Sequence, residues 1–218
     1  MTTTTRRVFL LSPARCDGER AKLLIDGRGQ LATRLREPDG VPIGEVFSFL
    51  SSLYFRGKLT YAQVFADPPR GARPALVITA DRGLMTPDDR VRRDDLVAFA
   101  KVDIAGGDER YLGPLRRDVA ALARKVGRSL VILLGSVATG KYVDTLLGAF
   151  GERLVFPIAF VGRGDMSRGG LLLRHARDGR ELEYVPVQGA ARRGQRPPKL
   201  EPLKRGKRHE TDRPEENA

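Results

Sequence analysis

The chain has 218 residues, 41% hydrophobic and 30% charged, with no tryptophan and 6% aromatics, which allows one sizeable, mainly aliphatic core. Its 39 Lys and Arg against 27 Asp and Glu give a formal charge of +12, a balance that points to a polyanion partner because each neutralised phosphate releases counterions. The single cysteine, Cys16, excludes an intrachain disulfide and fits a reducing cytoplasm, and with only His175 and His209 beside it there is no zinc-type spacing.

Residues 1–7 are polar, and the four apolar residues Val8–Leu11 after Arg6-Arg7 fall short of the roughly 7–15 that an export signal needs. Val8–Ser12 reads as a buried strand stopped by Pro13. Residues 26–42, rich in Gly, Pro, Arg and Asp, read as an exposed loop. From Ile43 to Phe65 apolar residues recur at helical spacing, with Gly57 as the expected break between two helices. Residues 67–74 form a linker, and Ala75–Ala80 is a second buried strand.

The next helix opens at Asp108-Glu109, carries Leu115, Val119, Leu122 and Val126 on one stripe and ends at Gly127. The strand Leu130–Leu134, a helix near Lys141–Ala149 and the strand Arg153–Pro157 follow. The segment 171–187 reads as a β-hairpin turning at Asp178-Gly179. Strands alternating with helices predict an α/β fold: a largely parallel mixed central sheet flanked by helices, with the C-terminal hairpin at one edge. Residues 8–188 form this domain. Residues 189–218 hold nine Lys/Arg against five Asp/Glu and few large apolar residues, and read as a disordered basic tail; +4 of the charge sits there and +8 on the rest. No apolar run approaches the roughly 20 residues of a membrane span, so no membrane partner is expected.

The stretch Gly135-Ser-Val-Ala-Thr-Gly-Lys141 follows a strand and precedes a helix, nearly the arrangement of a phosphate-binding loop. Its next position is Tyr142 where Ser or Thr would hold magnesium, and no apolar strand ending in Asp supplies a second metal motif, Leu23–Asp26 being the nearest. Thr139 and Lys141 remain candidates for phosphate, with Thr139 equally suited to cap the following helix. A divergent nucleotide-dependent enzyme built on 135–141 therefore stays open, as does a non-enzymatic protein with an RNA-binding basic tail.

In a parallel sheet ligands bind beyond the carboxyl ends of the strands. Four polar segments fall there: 12–17, 81–89, 135–139 and 161–170. Arg163 and Arg168 can fork onto phosphate or a base edge, Arg15 and Ser12 would line the floor, and Asp89 can accept or transfer a proton. Asp89 and Ser12 are the candidate catalytic residues; no cofactor and no metal are expected.

Taken together, these segments resemble the YaaA-type peroxide-stress family. The resemblance is carried by Ser12-Pro13-Ala14-Arg15 after the first strand; by Gly83, Met85, Pro87 and Asp89 after the second; by Ala138-Thr139-Gly140-Lys141-Tyr142-Val143; and by Arg163-Gly164-Asp165-Met166-Ser167-Arg168. It spans about residues 8–170. It implies an intracellular, DNA-binding α/β protein associated with protection against peroxide damage, and it makes 140–143 a helix start with Tyr142 in the place of a family tyrosine. Nucleic acid, DNA rather than RNA, is the partner it implies, and a nucleobase or nucleotide the object of any reaction.

Overall fold

The computed structural model describes residues 5–138, 140–191, 194–198 and 200, with Lys141 described for its backbone alone. The basic tail expected over 189–218 falls largely outside these residues, as do Thr139 and His209.

Strand β1 (Arg7–Leu11) is followed by helices α1 (Glu19–Ile25) and α2 (Gln30–Arg34), the two-residue strand β2 (Val41–Pro42), and helices α3 (Ile43–Ser51) and α4 (Leu53–Phe65). Then come β3 (Ala75–Ile78), β4 (Leu84–Met85), β5 (Arg90–Val91), α5 (Arg93–Ala100), α6 (Glu109–Val126) and β6 (Leu130–Leu134). The chain continues through α7 (Gly140–Phe150), β7 (Leu154–Pro157), α8 (Asp165–Arg177) and β8 (Tyr184–Pro186).

Six strands form one sheet in the order β4-β3-β1-β6-β7-β8. The four inner strands are parallel and the two edges antiparallel, so the fold is α/β with a largely parallel mixed sheet. Strands β2 and β5 pair separately. Strand β1 lies at the centre, and Val8 to Leu11 are fully buried. Its side chains alternate between two cores, as the two-residue period of a strand requires. Phe9 and Leu11 meet α3, α4, α5 and α8 on one face, while Val8 and Leu10 meet α6 and α7 on the other. A strand buried on both faces reads as an unbroken apolar run, which is what Val-Phe-Leu-Leu is.

Four expectations change. The break in 43–65 is at Ser52, which takes φ 48° and ψ −124°; Gly57 instead sits inside α4, where it permits a close crossing with α8. Residues 26–42 are not all loop, since α2 and β2 lie within them, and Leu23–Ile25 belongs to helix α1 rather than to a strand. The C-terminal hairpin is absent: its first half is α8, and only its second half is a strand, β8, laid against β7. Asp178-Gly179 is the helix end. Gly179 has φ +62°, its N–H donates to the Ala176 carbonyl, and the Arg180 N–H reaches back to that of His175. This pair of hydrogen bonds is a Schellman cap, which uses the same Asp-Gly signal as a hairpin turn.

Candidate functional site

The first residue past β1 is Ser12, whose N–H donates to the Leu134 carbonyl at 3.1 Å and so extends the β1–β6 ladder by one step. Behind it stands Lys58, on α4 at the spacing of Tyr54, Phe55, Tyr61 and Ala62, all of which face the core. Lys58 is 1% exposed. Its Nζ lies 2.8 Å from the Ser12 carbonyl oxygen and 3.0 Å from Ser12 Oγ. It also sits over the rings of Tyr54 and Phe55, at 4.5 and 4.7 Å. Burial pushes its pKa down to about 7; Asp165 opposes the shift and Arg168 adds to it.

Two tyrosines complete the floor. The Tyr142 hydroxyl donates to the Ser136 carbonyl at 2.9 Å beside Ser12, and burial raises its pKa to about 12. Their proximity depends on Gly135: a β-carbon there would lie 2.7 Å from both Ser12 Cβ and the Tyr142 hydroxyl. The Tyr54 hydroxyl is buried and, among the described residues, has no hydrogen-bond partner. Arg168 acts on it electrostatically but is engaged by the Phe160 carbonyl at 3.2 and 3.1 Å. Burial raises Tyr54 as well, so it stays a donor.

Above this floor is a cavity of about 530 Å³, within the size range of small-molecule sites. Its walls are the 12–17 segment, Ala80, Ser136, Asp165 and the 99–105 stretch that leaves α5. The charged lining residues are Arg15 against Asp17, Asp103 and Asp165, so the cavity is acidic in a protein that is basic overall. Arg15 pairs with Asp17 at 2.6 Å. Cys16 is not a reactive thiol: it is buried, donates toward the Ala14 carbonyl and has its pKa raised to about 12, chiefly by burial and also by Asp17 and Asp81.

No family model, curated protein or solved structure matches this chain. Among the described residues no helix is long and apolar enough to cross a membrane.

Of the residues singled out from the sequence, Ser12 is at the cavity floor and Arg15 at its rim. Arg163 and Arg168 do not line it. Arg163 holds the turn before α8 through the Ala159 carbonyl at 3.0 Å and Ser167 Oγ at 3.1 Å. Arg168 is packed over the Phe160 ring, 3.6 Å from Asp165. Asp89 is on another part of the molecule, where its carboxylate accepts the Thr86 N–H at 2.7 Å and its carbonyl accepts that of Ile43. Lys141 lies in the first turn of α7, and Tyr142 points into the core rather than outward as a metal ligand would. Lys58 and Tyr54 are the members that sequence reading missed. The available signal was a lysine at the i+4 position of a buried aromatic stripe.

Proposed function

We propose that the protein binds nucleic acid, DNA in preference to RNA, and that the cavity at the strand ends receives a nucleobase or nucleoside portion of it. On this reading the protein is a YaaA-like member acting in protection against oxidative or DNA damage. The observation that carries it is the contrast in charge. A chain of +12 attracts a polyanion, yet the cavity lining holds Asp17, Asp103 and Asp165 against Arg15 alone, which is spent on Asp17, while Arg168 approaches Asp165 from outside the lining. Phosphate is repelled from such a cavity, whereas the N–H groups of a base edge find acceptors in Asp103 and Asp165. The backbone would be held outside, by exposed arginines. The paired placement of Arg163 and Arg168 favours a structural role for both over phosphate binding.

The test is binding of the full chain to short single-stranded DNA, duplex DNA and RNA across a salt series, with free nucleosides and nucleotides as competitors. The logarithm of the affinity should fall linearly with the logarithm of the salt concentration. Nucleosides should compete better than the corresponding monophosphates. Salt-independent binding, or none, overturns the nucleic-acid reading; phosphates outcompeting nucleosides overturns the assignment of the cavity to a base.

A further inference from the structure

We propose that Ser12 Oγ is a nucleophile and Lys58 Nζ its general base, forming a two-residue device for acyl transfer to or from an uncharged or cationic ligand in the cavity. It concerns the cavity already described but does not require that the ligand be part of a nucleic acid.

The geometry is specific. The lysine amine is buried, has no carboxylate within ion-pair distance among the described residues, and directs its polar contacts to the two oxygens of one residue. A lysine retained only to fill space would be better replaced by an apolar residue, because an unpaired buried ammonium is costly. Lys58 Nζ donates to the Ser12 carbonyl at 2.8 Å and to Ser12 Oγ at 3.0 Å; once neutral, the amine can keep the first bond and turn its lone pair to the hydroxyl across the second. That is the arrangement of a base holding the proton it will remove. The charged and titratable groups around the amine are Asp165 and Arg168 from α8, with Tyr54 on its own helix and Tyr142 from α7 beside Ser12. The two charges oppose one another, so burial decides the protonation state, and the amine titrates near neutrality at about 7.

Tyr54 is an independent observation. Tyr54 lines the same cavity as Ser12, and its buried hydroxyl, which makes no geometric hydrogen bond among the described residues though the Arg168 side chain is near it, is a donor in reserve for an oxygen that gains charge. In the reaction the Ser12 Oγ–carbon bond forms, the carbonyl electron pair moves onto its oxygen, and the Ser12 proton passes to Lys58 Nζ. The tetrahedral adduct then collapses, the leaving group departs with that proton, and Ser12 is left as an ester. Water attacks the ester carbonyl with Lys58 again taking the proton, which returns to Ser12 as its bond to the acyl carbon breaks. The net change is hydrolysis, with no oxidant or further reactant.

The experiment is labelling of the full-length protein with phenylmethylsulfonyl fluoride, an uncharged probe, read by intact mass and peptide mapping. Ser12 Oγ bonds to sulfur, the S–F bond breaks, fluoride leaves, and the proton goes to Lys58 and then to solvent. One adduct at Ser12 is expected, with a rate that rises through a single ionisation near pH 7. Ser12→Ala should abolish it, and Lys58→Met should slow it by about 100-fold or more and remove the pH dependence. Lys58→Ala, whose space admits a small amine, should regain rate on addition of methylamine, a response that a merely structural lysine would not give. Thermal melts confirm that each variant is folded; if Lys58→Met is not, the pH profile of the wild type and the amine response decide. No adduct on Ser12 in folded wild type up to pH 9, or the same rate and profile without Lys58, overturns the proposal. No nucleic acid is in the assay, so this result and the salt-series result fail independently.

Discussion

A β-carbon on Gly57 would stand 2.7 Å from the carbonyl oxygen of Gly169, and one on Gly169 would stand 2.6 Å from that of Leu53. Helices α4 and α8 therefore touch backbone to backbone, and this crossing brings Asp165 and Arg168 of one helix to Tyr54 and Lys58 of the other. Gly57→Ala and Gly169→Ala should each destabilise by about 1–3 kcal/mol in urea unfolding, overpacking outweighing the helix-propensity gain. Gly148→Ala, on α7 with open space around it, should instead stabilise by about 0.5–1 kcal/mol. If all three variants stabilise, the close crossing is absent.

The Lys58 amine ties stability to pH. In the unfolded chain it takes a proton below about 10.5, whereas in the fold burial delays uptake until about 7. Between these values the unfolded chain holds the extra proton, so stability rises with pH across the window; as pH falls from about 10.5 this contribution is lost progressively, and the loss is complete once pH has fallen through about 7. Lys58→Met should be more stable than wild type at pH 6, by roughly a few kcal/mol, with the gap closing toward pH 10. Parallel unfolding free energies at pH 6, 8 and 10 would mean that the amine is hydrated.

Ser52 is, among the described residues, the one non-glycine with positive φ, and it joins α3 to α4 between the cavity-lining Ser51 and Tyr54. Ser52→Gly should relieve about 1 kcal/mol of backbone strain, partly offset by a more flexible unfolded chain. The measurement is the shift in the urea midpoint. A loss of stability would mean that the serine side chain holds the corner.

Cys16 should resist Ellman's reagent at pH 8 in the native protein and react fully once unfolded, because its thiol titrates near 12 in the fold. Rapid native labelling would show that the cavity wall opens at the 12–17 segment.

Where local pattern and tertiary environment agree, the sequence was readable. Strand β6 lies where its apolar run falls, and α6 is capped by Asp108, whose carboxylate accepts the Arg110 N–H at 2.9 Å, and stops at Gly127 with φ +54°. The carboxyl-end rule brought Ser12, Ser136 and Asp165 together, because β1, β6 and β7 are parallel. It failed for Asp89, since β4 turns back antiparallel on β3 and carries 86–89 away toward α3. The α8 segment was misread because Leu171-Leu172-Leu173 suits a strand as well as a helix, and the packing of α8 on α4, where Gly57 meets Gly169, is a long-range contact that the local pattern does not carry. Lys58 was missed because a lysine on a helix is ordinarily solvated; its burial follows from α8 covering that face, a long-range fact with no local signature.

Strand β1 has no solvent on either side, and Ser12 is fastened to its end through the Leu134 carbonyl. That makes the serine an anvil. It is set at the end of a strand buried on both faces and held there by a backbone hydrogen bond. Another wall, residues 102–105, has no regular helix or strand. Accommodation of different ligand sizes therefore falls to that jaw and to the equally irregular 13–17 segment, and selectivity can be retuned there without moving Ser12 itself.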